Sequence, residues 1–344
     1  MNLEQRISSF AQLGEILRSG TSLQKTMVEA EMENAWFTRT NILKALNYWG
    51  EVLNQPTLEQ WLERYNPALG NNTVSKRVGV IMAGNIPMVG FHDLLSVLLS
   101  GHILTARLSS QDAVLIHALV KILENLSPEW TKRIELTSGE IENPEAIIAT
   151  GSNNTSRYFN YYFAKYPHII RKNRTAVAVL DGEETFNDLK GLATDIFSYF
   201  GLGCRNVSKL YLPEGYDLKP LHEAFLQYQE LFHHPKYRNN LDYYKSIYLV
   251  NRTRFLDGVF YLLIEAEPLT TPVAVLHYEY YKDLNRVSSA LASQKEEIQC
   301  VVTRNNLLKA DHPCGVVEPG ETQQPSLSDY ADSVDTMKFL LEKI

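Results

Sequence analysis

The sequence predicts an α/β fold of two doubly wound domains with an N-terminal helical segment. From residue 78 onward, short β-rich runs alternate with amphipathic helices, in two series that meet near residues 167–174. This alternation is typical of parallel sheets covered by helices on both faces. We therefore expect four segments, the first packing on the second and the last returning to it: residues 1–77, 78–170, 171–310 and 311–344.

Composition and charge exclude several classes of protein. The chain has 344 residues, of which 44% are hydrophobic and 21% charged, as in ordinary globular proteins. A net charge of −7 gives no general attraction to nucleic acid, and no apolar run reaches the length of a membrane span. Three cysteines are too few for a disulfide framework, and the N-terminus lacks signal-peptide features. We expect a cytoplasmic protein with no nucleic-acid partner and no membrane span.

The helical segment carries two apolar stripes at helix spacing, which predict amphipathic helices in a supporting role. The stripes consist of Leu3, Ile7, Phe10, Leu13 and Leu17, and of Ile42, Leu46, Trp49 and Leu53. Residues 66–72 are rich in Pro, Gly and Asn, which predicts a polar loop.

The first α/β series begins with a strand at residues 78–83. Pro87 suits the first position of a helix that ends near Gly101, and Asp112 opens the next helix. Further strands are predicted at residues 103–108, 133–136 and 146–150. A helix at residues 154–166 is rich in Tyr and Phe. We interpret it as a packing helix; the alternative is that its rings line a channel for an apolar substrate chain.

Ligands of such sheets bind beyond the carboxyl ends of the strands. In the first series the residues that follow strands are Asn85, Arg107, Ser109, Gly151 and Ser152. The sequence contains neither the dinucleotide-binding glycine pattern nor a P-loop.

The second series contains a cysteine between two glycine-loosened positions and a core strand. Strands are predicted at residues 176–180, 207–212, 247–250, 259–264, 272–278 and 298–302, and helices at residues 184–200, 218–231, 281–292 and near the C-terminus. Gly201 and Gly203 break the helix that ends at residue 200 and place Cys204 where a thiol can face a cleft. A buried structural cysteine is the alternative, since free cysteine is among the most buried residue types.

Four blocks in order resemble the aldehyde dehydrogenase superfamily, and within it the acyl-CoA reductase (LuxC-type) branch. The blocks are residues 84–87 (Gly-Asn-Ile-Pro), 99–110, 149–152 (Ala-Thr-Gly-Ser) and 201–204 (Gly-Leu-Gly-Cys). The segment from Glu318 to Asp332 also looks like the ending of a LuxC-type chain. The resemblance covers residues 78–344 and implies an aldehyde-dehydrogenase-like fold, with a cofactor domain at 78–170 and a catalytic domain at 171–310.

The resemblance assigns roles to these blocks. Cys204 corresponds to the catalytic nucleophile, whose thiol is activated by backbone N–H dipoles. Asn85, with the Cys204 N–H, corresponds to the oxyanion donors. The remaining residues are assigned to the cofactor: Arg107 and Ser109 to the adenosine ribose, Gly151 and Ser152 to the pyrophosphate, and Glu267 (or Glu265) to the nicotinamide ribose.

Two departures from the family pattern shape the functional hypothesis. Arg107 replaces the usual lysine and Ser110 the frequent glutamate, which favours NADPH, with NADH still possible. Residues 168–173 carry no carboxylate where hydrolytic relatives have the base that activates water. This favours reduction of an acyl-CoA, expected to be fatty acyl, to an aldehyde. A proton-donor role of His168 is a further hypothesis.

Other readings remain open at this point. An aldehyde dehydrogenase that oxidises aldehydes and a non-catalytic binding or scaffold paralogue are the alternatives. The partners implied are the acyl-CoA substrate and a second copy of the chain or an acyl-transfer enzyme. Cys300 lies within a core strand, and Cys314 beside His312 has no second cysteine pair, so we expect no metal site.

Overall fold

The structure, a computed structural model, describes residues 1–71, 74–304, 307–309 and 311–344. The chain divides into two compact units. Unit 1 consists of Met1–Asn173 and Ser326–Ile344, and unit 2 of Arg174–Pro325. Each unit contains one mainly parallel sheet. In the described part of the chain, no helix is both long enough and apolar enough to cross a membrane.

Five helices precede the first strand of unit 1. They are α1 (Leu3–Ser19), α2 (Gln24–Glu33), α3 (Arg39–Val52), α4 (Gln55–Glu63) and α5 (Asn66–Asn71). The α1 helix begins with a capping box between Asn2 and Gln5 and ends at left-handed Gly20. The predicted polar loop at residues 66–72 is therefore wrong over 66–71, which form α5, while residue 72 lies outside the described residues.

The first sheet has five parallel strands in the order β3-β2-β1-β4-β5. The strands are β1 (Arg77–Ile81), β2 (Ile103–Arg107), β3 (Ile134–Thr137), β4 (Ala146–Thr150) and β5 (His168–Arg171), and the helices between them are α6 (Phe91–Leu99), α7 (Ala113–Leu126) and α8 (Asn153–Tyr162). The division between the units after Asn173 lies within the predicted boundary region, residues 167–174. Strand β5, which pairs in register with β4, was not predicted.

The helix after β1 begins later than predicted. Residues 87–90 form a turn in which Met88 has a φ of 60°, and α6 begins only at Phe91. Ring contacts then join α6 to the N-terminal helices, with Trp49 at 4.7 Å and Phe10 at 6.4 Å from the Phe91 ring. These contacts place the helical segment and the first sheet in one hydrophobic core.

The C-terminal residues return to this core. Helix α13 (Thr336–Glu342) buries Met337 and Leu340 completely or nearly so. The Tyr65 hydroxyl donates a 2.7 Å hydrogen bond to Asp335, which caps α13. Residues 326–344 are thus part of unit 1, whereas residues 311–325 belong to unit 2.

The second sheet has seven strands in the order β12-β11-β6-β7-β10-β9-β8. The strands are β6 (Thr175–Val179), β7 (Val207–Pro213), β8 (Leu256–Asp257), β9 (Leu262–Glu265), β10 (Val275–Tyr281), β11 (Ile298–Val302) and β12 (Val316–Val317), and the helices are α9 (Phe186–Phe197), α10 (Leu218–Phe225), α11 (Pro235–Val250) and α12 (Leu284–Ser293). All neighbouring strands are parallel except β8 and β9. Separate apolar clusters lie on its two faces, as a doubly wound sheet requires.

Two predicted elements of unit 2 are wrong. Residues 247–250 form the last turn of α11 and not a strand. The helix predicted to run to residue 200 ends at Phe197.

Candidate active site

The cysteine turn, which we define as residues 198–206, leaves α9 through an unusual backbone conformation. Tyr199, Phe200 and Gly201 have φ values of 52°, 61° and 74°. The left-handed region suits Gly201 but costs on the order of 1 kcal/mol or more for each aromatic residue. The sequence prediction attributed the break to the glycines, whereas the chain already turns at two non-glycine residues.

Packing holds the strained aromatic residues in place. The Phe200 ring lies 4.5 Å from His234 and 5.9 Å from Tyr237, both at the start of α11. Tyr199 and Phe200 are buried, and Tyr237 is almost completely so. Surrounding contacts of this kind are what allows left-handed non-glycine residues to persist.

Asn206 fixes the part of the turn that contains the cysteine. Its backbone N–H donates to the Gly203 carbonyl at 3.0 Å, which closes a β-turn with Cys204 and Arg205 at its centre. Its side-chain Oδ1 accepts a 2.8 Å hydrogen bond from the Gly203 N–H. Its Nδ2 donates to the carbonyls of Asp195, Ile196 and Ser198 at 2.9, 3.3 and 2.9 Å. These carbonyls come from the end of α9, where intrahelical donors run out.

The three cysteines differ in exposure. Cys204 is partly exposed, whereas Cys300 and Cys314 are buried. Cys300 belongs to the apolar cluster around β11, as predicted for a core cysteine. The Cys314 thiol donates to the Leu291 carbonyl at 3.3 Å, and burial raises its pKa. Because nucleophilic attack needs an accessible thiolate, Cys204 is the best placed of the three for chemistry.

The loop that carries Glu267 is anchored to the strand that follows the cysteine turn. Lys209 Nζ donates to the Glu267 carbonyl, and the Ser208 hydroxyl donates to the Leu269 carbonyl. His277 Nδ1 lies 2.9 Å from the Pro268 carbonyl. Three consecutive carbonyls are thus held by side chains of β7 and β10, and the Glu267 carboxylate is left exposed. Glu265, the other candidate, ends β9 and is also exposed.

The segment that follows Glu318, part of the predicted LuxC-type ending, forms hydrogen bonds with α9. The buried Asp195 carboxylate accepts hydrogen bonds from the Gly320 N–H at 2.6 Å, and from the N–H and hydroxyl of Thr322 at 3.1 and 2.8 Å. A Cβ at Gly191 would lie 2.6 Å from the Pro319 carbonyl oxygen, so α9 and this segment approach closely. This segment therefore stabilises α9, the helix that leads into the cysteine turn.

In unit 1, the predicted residues lie at the carboxyl edge of the sheet. Asn85 is exposed in the loop after β1. A Cβ at Gly84 would lie 2.5 Å from Ser109 Oγ, so the loops after β1 and β2 touch. The Met88 N–H donates a 2.8 Å hydrogen bond to the buried Asp112 carboxyl, and burial raises the pKa of Asp112 well above its usual value. Asp112 thereby anchors the Asn85 loop, a role that sequence reasoning missed because it took Asp112 for a helix cap.

The other cofactor candidates include groups suited to phosphates. Arg107 ends β2 with an exposed guanidinium that makes no ion pair with any described residue. Ser152 caps α8, with its hydroxyl accepting from the Thr155 N–H at 3.2 Å. A Cβ at Gly151 would lie 3.0 Å from both Phe159 and Thr155, so this turn has little room for a side chain. A cation and a capped helix N-terminus are suitable partners for phosphates.

His168 lies in β5, and its Nδ1 is 2.9 Å from the Tyr166 carbonyl. Nearby Arg171 forms a buried ion pair with Asp93 and donates to Thr336 at 2.9 Å. Residues 168–171 of this segment thus form a strand of the first sheet, and residues 168–173 contain no carboxylate.

Comparison with known protein families shows to which family the chain belongs. Residues 8–227, more than half of the chain, match the family described as acyl-CoA reductase (LuxC). The chain belongs to the acyl-CoA reductase (LuxC) family. The match includes Asn85, Arg107 and Cys204 and ends before Glu267. Membership confirms the resemblance and makes this LuxC-family chain an oxidoreductase that acts on aldehydes or acyl-CoA.

Solved structures with the same fold are aldehyde dehydrogenases and related enzymes. Aldehyde dehydrogenase 21 from Physcomitrella patens, in complex with the reaction product succinate, has 12% identity and a TM-score of 0.71, with 99% of this chain and 84% of that chain covered. A Mycobacterium tuberculosis aldehyde dehydrogenase complexed with NAD+ has 13% identity and a TM-score of 0.63, with 92% and 77% covered. Glyceraldehyde-3-phosphate dehydrogenase from Methanocaldococcus jannaschii, complexed with NADP, has 12% identity and a TM-score of 0.67, with 100% and 88% covered. The predicted aldehyde-dehydrogenase-like fold is confirmed.

The LuxC-family chain contains supporting residues that the sequence did not reveal. Asn206 and Lys209 were not predicted, although a lysine within a mostly apolar strand was a usable signal. Lys209 pairs with Glu279 and lies over the Tyr211 ring at 4.9 Å. Such partners are what a buried ammonium group needs.

Proposed function

We propose that the protein is an NAD(P)H-dependent reductase that converts an acyl-CoA thioester to the aldehyde through a covalent acyl-Cys204 intermediate. The observation that carries this proposal is the cysteine turn, which keeps one partly exposed thiol at a fixed position while the other two cysteines are buried. The family resemblance points to a fatty acyl group as the substrate.

The first step is transfer of the acyl group between thiols. The Cys204 thiolate attacks the thioester carbonyl carbon, forming a new C–S bond. The C–S bond to CoA then breaks, and CoA leaves as a thiolate that takes up a proton from solvent. The family resemblance assigns the oxyanion donors to the Cys204 N–H and the Asn85 amide, each worth about 3 kcal/mol to the transition state.

The second step needs a reductant. The candidate cofactor residues of unit 1 have side chains and backbone groups suited to a nicotinamide cofactor. A bound nicotinamide cofactor supplies hydride. Arg107 and Ser109 would hold its adenosine ribose, the Gly151–Ser152 turn its pyrophosphate, and Glu267 its nicotinamide ribose. We propose NADPH as the preferred cofactor, because Arg107 has no ion-pair partner among the described residues and Ser110 carries no carboxylate against a 2′-phosphate.

Reduction of the acyl group on Cys204 completes the reaction. The thioester carbonyl carbon accepts the hydride and becomes the alkoxide of a hemithioacetal bonded to Cys204. Cleavage of its C–Sγ bond releases the aldehyde and returns the Cys204 thiolate. Oxidation to a free acid would require a base that activates water, and residues 168–173 provide no carboxylate for it.

Intact-protein mass spectrometry tests the proposal. The protein is mixed with a panel of acyl-CoAs without reductant and then with NADPH. Wild type is compared with Cys204→Ala and, as a matched control, with Cys300→Ala. We expect an acyl adduct on wild type and Cys300→Ala but not on Cys204→Ala, and its discharge by NADPH with release of aldehyde. The absence of an adduct from every acyl-CoA, with the protein folded, would refute the reductase mechanism.

A second experiment tests the preference for NADPH over NADH. Arg107→Gln removes the cation and keeps a polar, neutral side chain that is shorter. If the guanidinium binds a 2′-phosphate, this substitution raises KM for NADPH about tenfold or more and leaves KM for NADH nearly unchanged. Equal effects on both cofactors would argue against this role.

A further inference from the structure

We infer that Asn206 is a positioning residue that holds Cys204 in its reactive conformation; this rests on the proposed function of Cys204. The side-chain amide of Asn206 bonds both to the end of α9 and to Gly203, the residue before Cys204. Its Nδ2 donates to the carbonyls of Asp195 and Ser198, both at 2.9 Å, and its Oδ1 accepts from the Gly203 N–H at 2.8 Å. One side chain thereby joins the end of α9 to the residue before the cysteine.

The bonds to Gly203 fix the direction in which the Cys204 side chain extends from the backbone. Both the N–H and the carbonyl of Gly203 are bonded to Asn206, one to its side chain and one to its backbone. The two peptide planes around Gly203 are therefore held at once. Glycine is otherwise the residue with the greatest backbone freedom, so these bonds remove the rotation that would displace the neighbouring thiol.

An asparagine suits this position better than other residues. Its amide is neutral and supplies both donors and an acceptor, and all of them are used here. An aspartate would place a second acceptor oxygen against three carbonyls. It would also bring a negative charge two residues from a thiol that must ionise. Asn206 is only 2% exposed, so water cannot replace its bonds.

The test measures Cys204 reactivity separately from reductase activity. Asn206→Ala removes every side-chain bond, and Asn206→Asp keeps the shape and the acceptor for Gly203 but loses the donors. Thr322→Val is the matched control, because it removes a buried 2.8 Å hydrogen bond to Asp195 on the same helix and leaves the bonds of Asn206 intact. Thermal stability of each variant is recorded alongside.

Two rates are measured for each variant. One is alkylation of Cys204 by iodoacetamide between about pH 5 and about pH 10, with Cys204→Ala as the blank; the range covers ordinary thiol ionisation. The other is acylation by an acyl-CoA, followed by mass spectrometry. We expect acylation to slow by about 100-fold in folded Asn206→Ala, as for other displaced reacting groups, and the alkylation profile to shift to higher pH. Thr322→Val should keep wild-type rates and profile.

Each outcome decides the inference. A folded Asn206 variant with wild-type rates and pH profile would overturn it, and so would an equal loss in Thr322→Val. If neither Asn206 variant folds, the residue serves folding instead and the inference also fails. A wild-type protein that acyl-CoAs do not acylate would contradict the proposed function, while the iodoacetamide profiles would still decide the role of Asn206.

Discussion

Replacement of Lys209 by methionine tests whether the Glu267 loop binds the cofactor. The Lys209 side chain is 1% exposed, pairs with Glu279 and donates to the Glu267 carbonyl. Methionine keeps the length and the apolar stem but cannot hold that carbonyl. The side-chain bonds from Ser208 and His277 to the neighbouring carbonyls of the loop remain.

The magnitude follows from the partners that are lost. A hydrogen bond from a charged donor contributes about 1.5–3 kcal/mol, and breaking a fully buried ion pair costs about 3–5 kcal/mol. The Glu279 side chain is 36% exposed, so water solvates it in part after the lysine is gone. We therefore expect a loss of about 2 kcal/mol in unfolding free energy. If a similar energy holds the loop, the bound-state geometry becomes at least about tenfold rarer, and KM for NADPH rises by that factor.

The assay separates cofactor binding from acylation. KM for NADPH is measured in the steady state, and acylation of Cys204 is followed by mass spectrometry without cofactor. Acylation should stay within about twofold of wild type, since it precedes hydride transfer. Lys245→Met is the control, because Lys245 makes a surface ion pair with Asp257, of the kind that contributes about 0–1 kcal/mol. Unchanged KM in Lys209→Met, or an equal rise in Lys245→Met, would refute the reasoning.

Two further predictions concern unit 1. Burial, together with the charge of Lys76, lowers the pKa of His102, whose Nδ1 accepts from the Lys76 N–H and whose Nε2 lies 2.9 Å from the Leu340 carbonyl. The unfolded chain therefore binds the proton more tightly, so unfolding free energy is highest above about pH 6.5 and falls as the pH drops below it. Denaturant titrations should show a smaller fall in His102→Gln, and an unchanged pH dependence would contradict this assignment. Ser152→Ala removes the α8 cap, so we expect a loss of about 1 kcal/mol and weaker NADPH binding by fluorescence titration; unaltered stability and affinity would speak against both roles.

The sequence predicted the kind of element well where local pattern is decisive. Strands β4 and β11 were predicted with their observed bounds, because short apolar runs between turn signals are typical of buried strands. The helix predicted from residue 154 begins at Asn153, and Cys204 lies between a helix and a core strand, as predicted. Whether Cys204, Asn85 and the cofactor candidates perform their proposed roles stays a prediction.

Errors arose where distant contacts overrode local preference. Three of the four residues 247–250 are β-branched or aromatic, yet they continue α11, which buries Tyr237 and Leu241 in its earlier turns. Tyr199 and Phe200 adopt a left-handed backbone conformation that no local rule predicts. Both side chains are buried, and the Phe200 ring packs against His234 and Tyr237. The local sequence contains no information on either contact.

The sequence by itself determined most of the strands and helices along the chain and the place of the thiol between them. It could do so because periodicity and turn residues act over a few neighbouring positions. Only the tertiary structure decided what holds that thiol and the Glu267 loop. Lys209 and Glu267 are 58 residues apart in the chain, and they meet because β7 and β10 pair in parallel register. Asn206 likewise reaches back 11 residues to α9 because the cysteine turn reverses the chain. Such bonds depend on strand register and on strained turns, which are fixed by the packing of the whole unit.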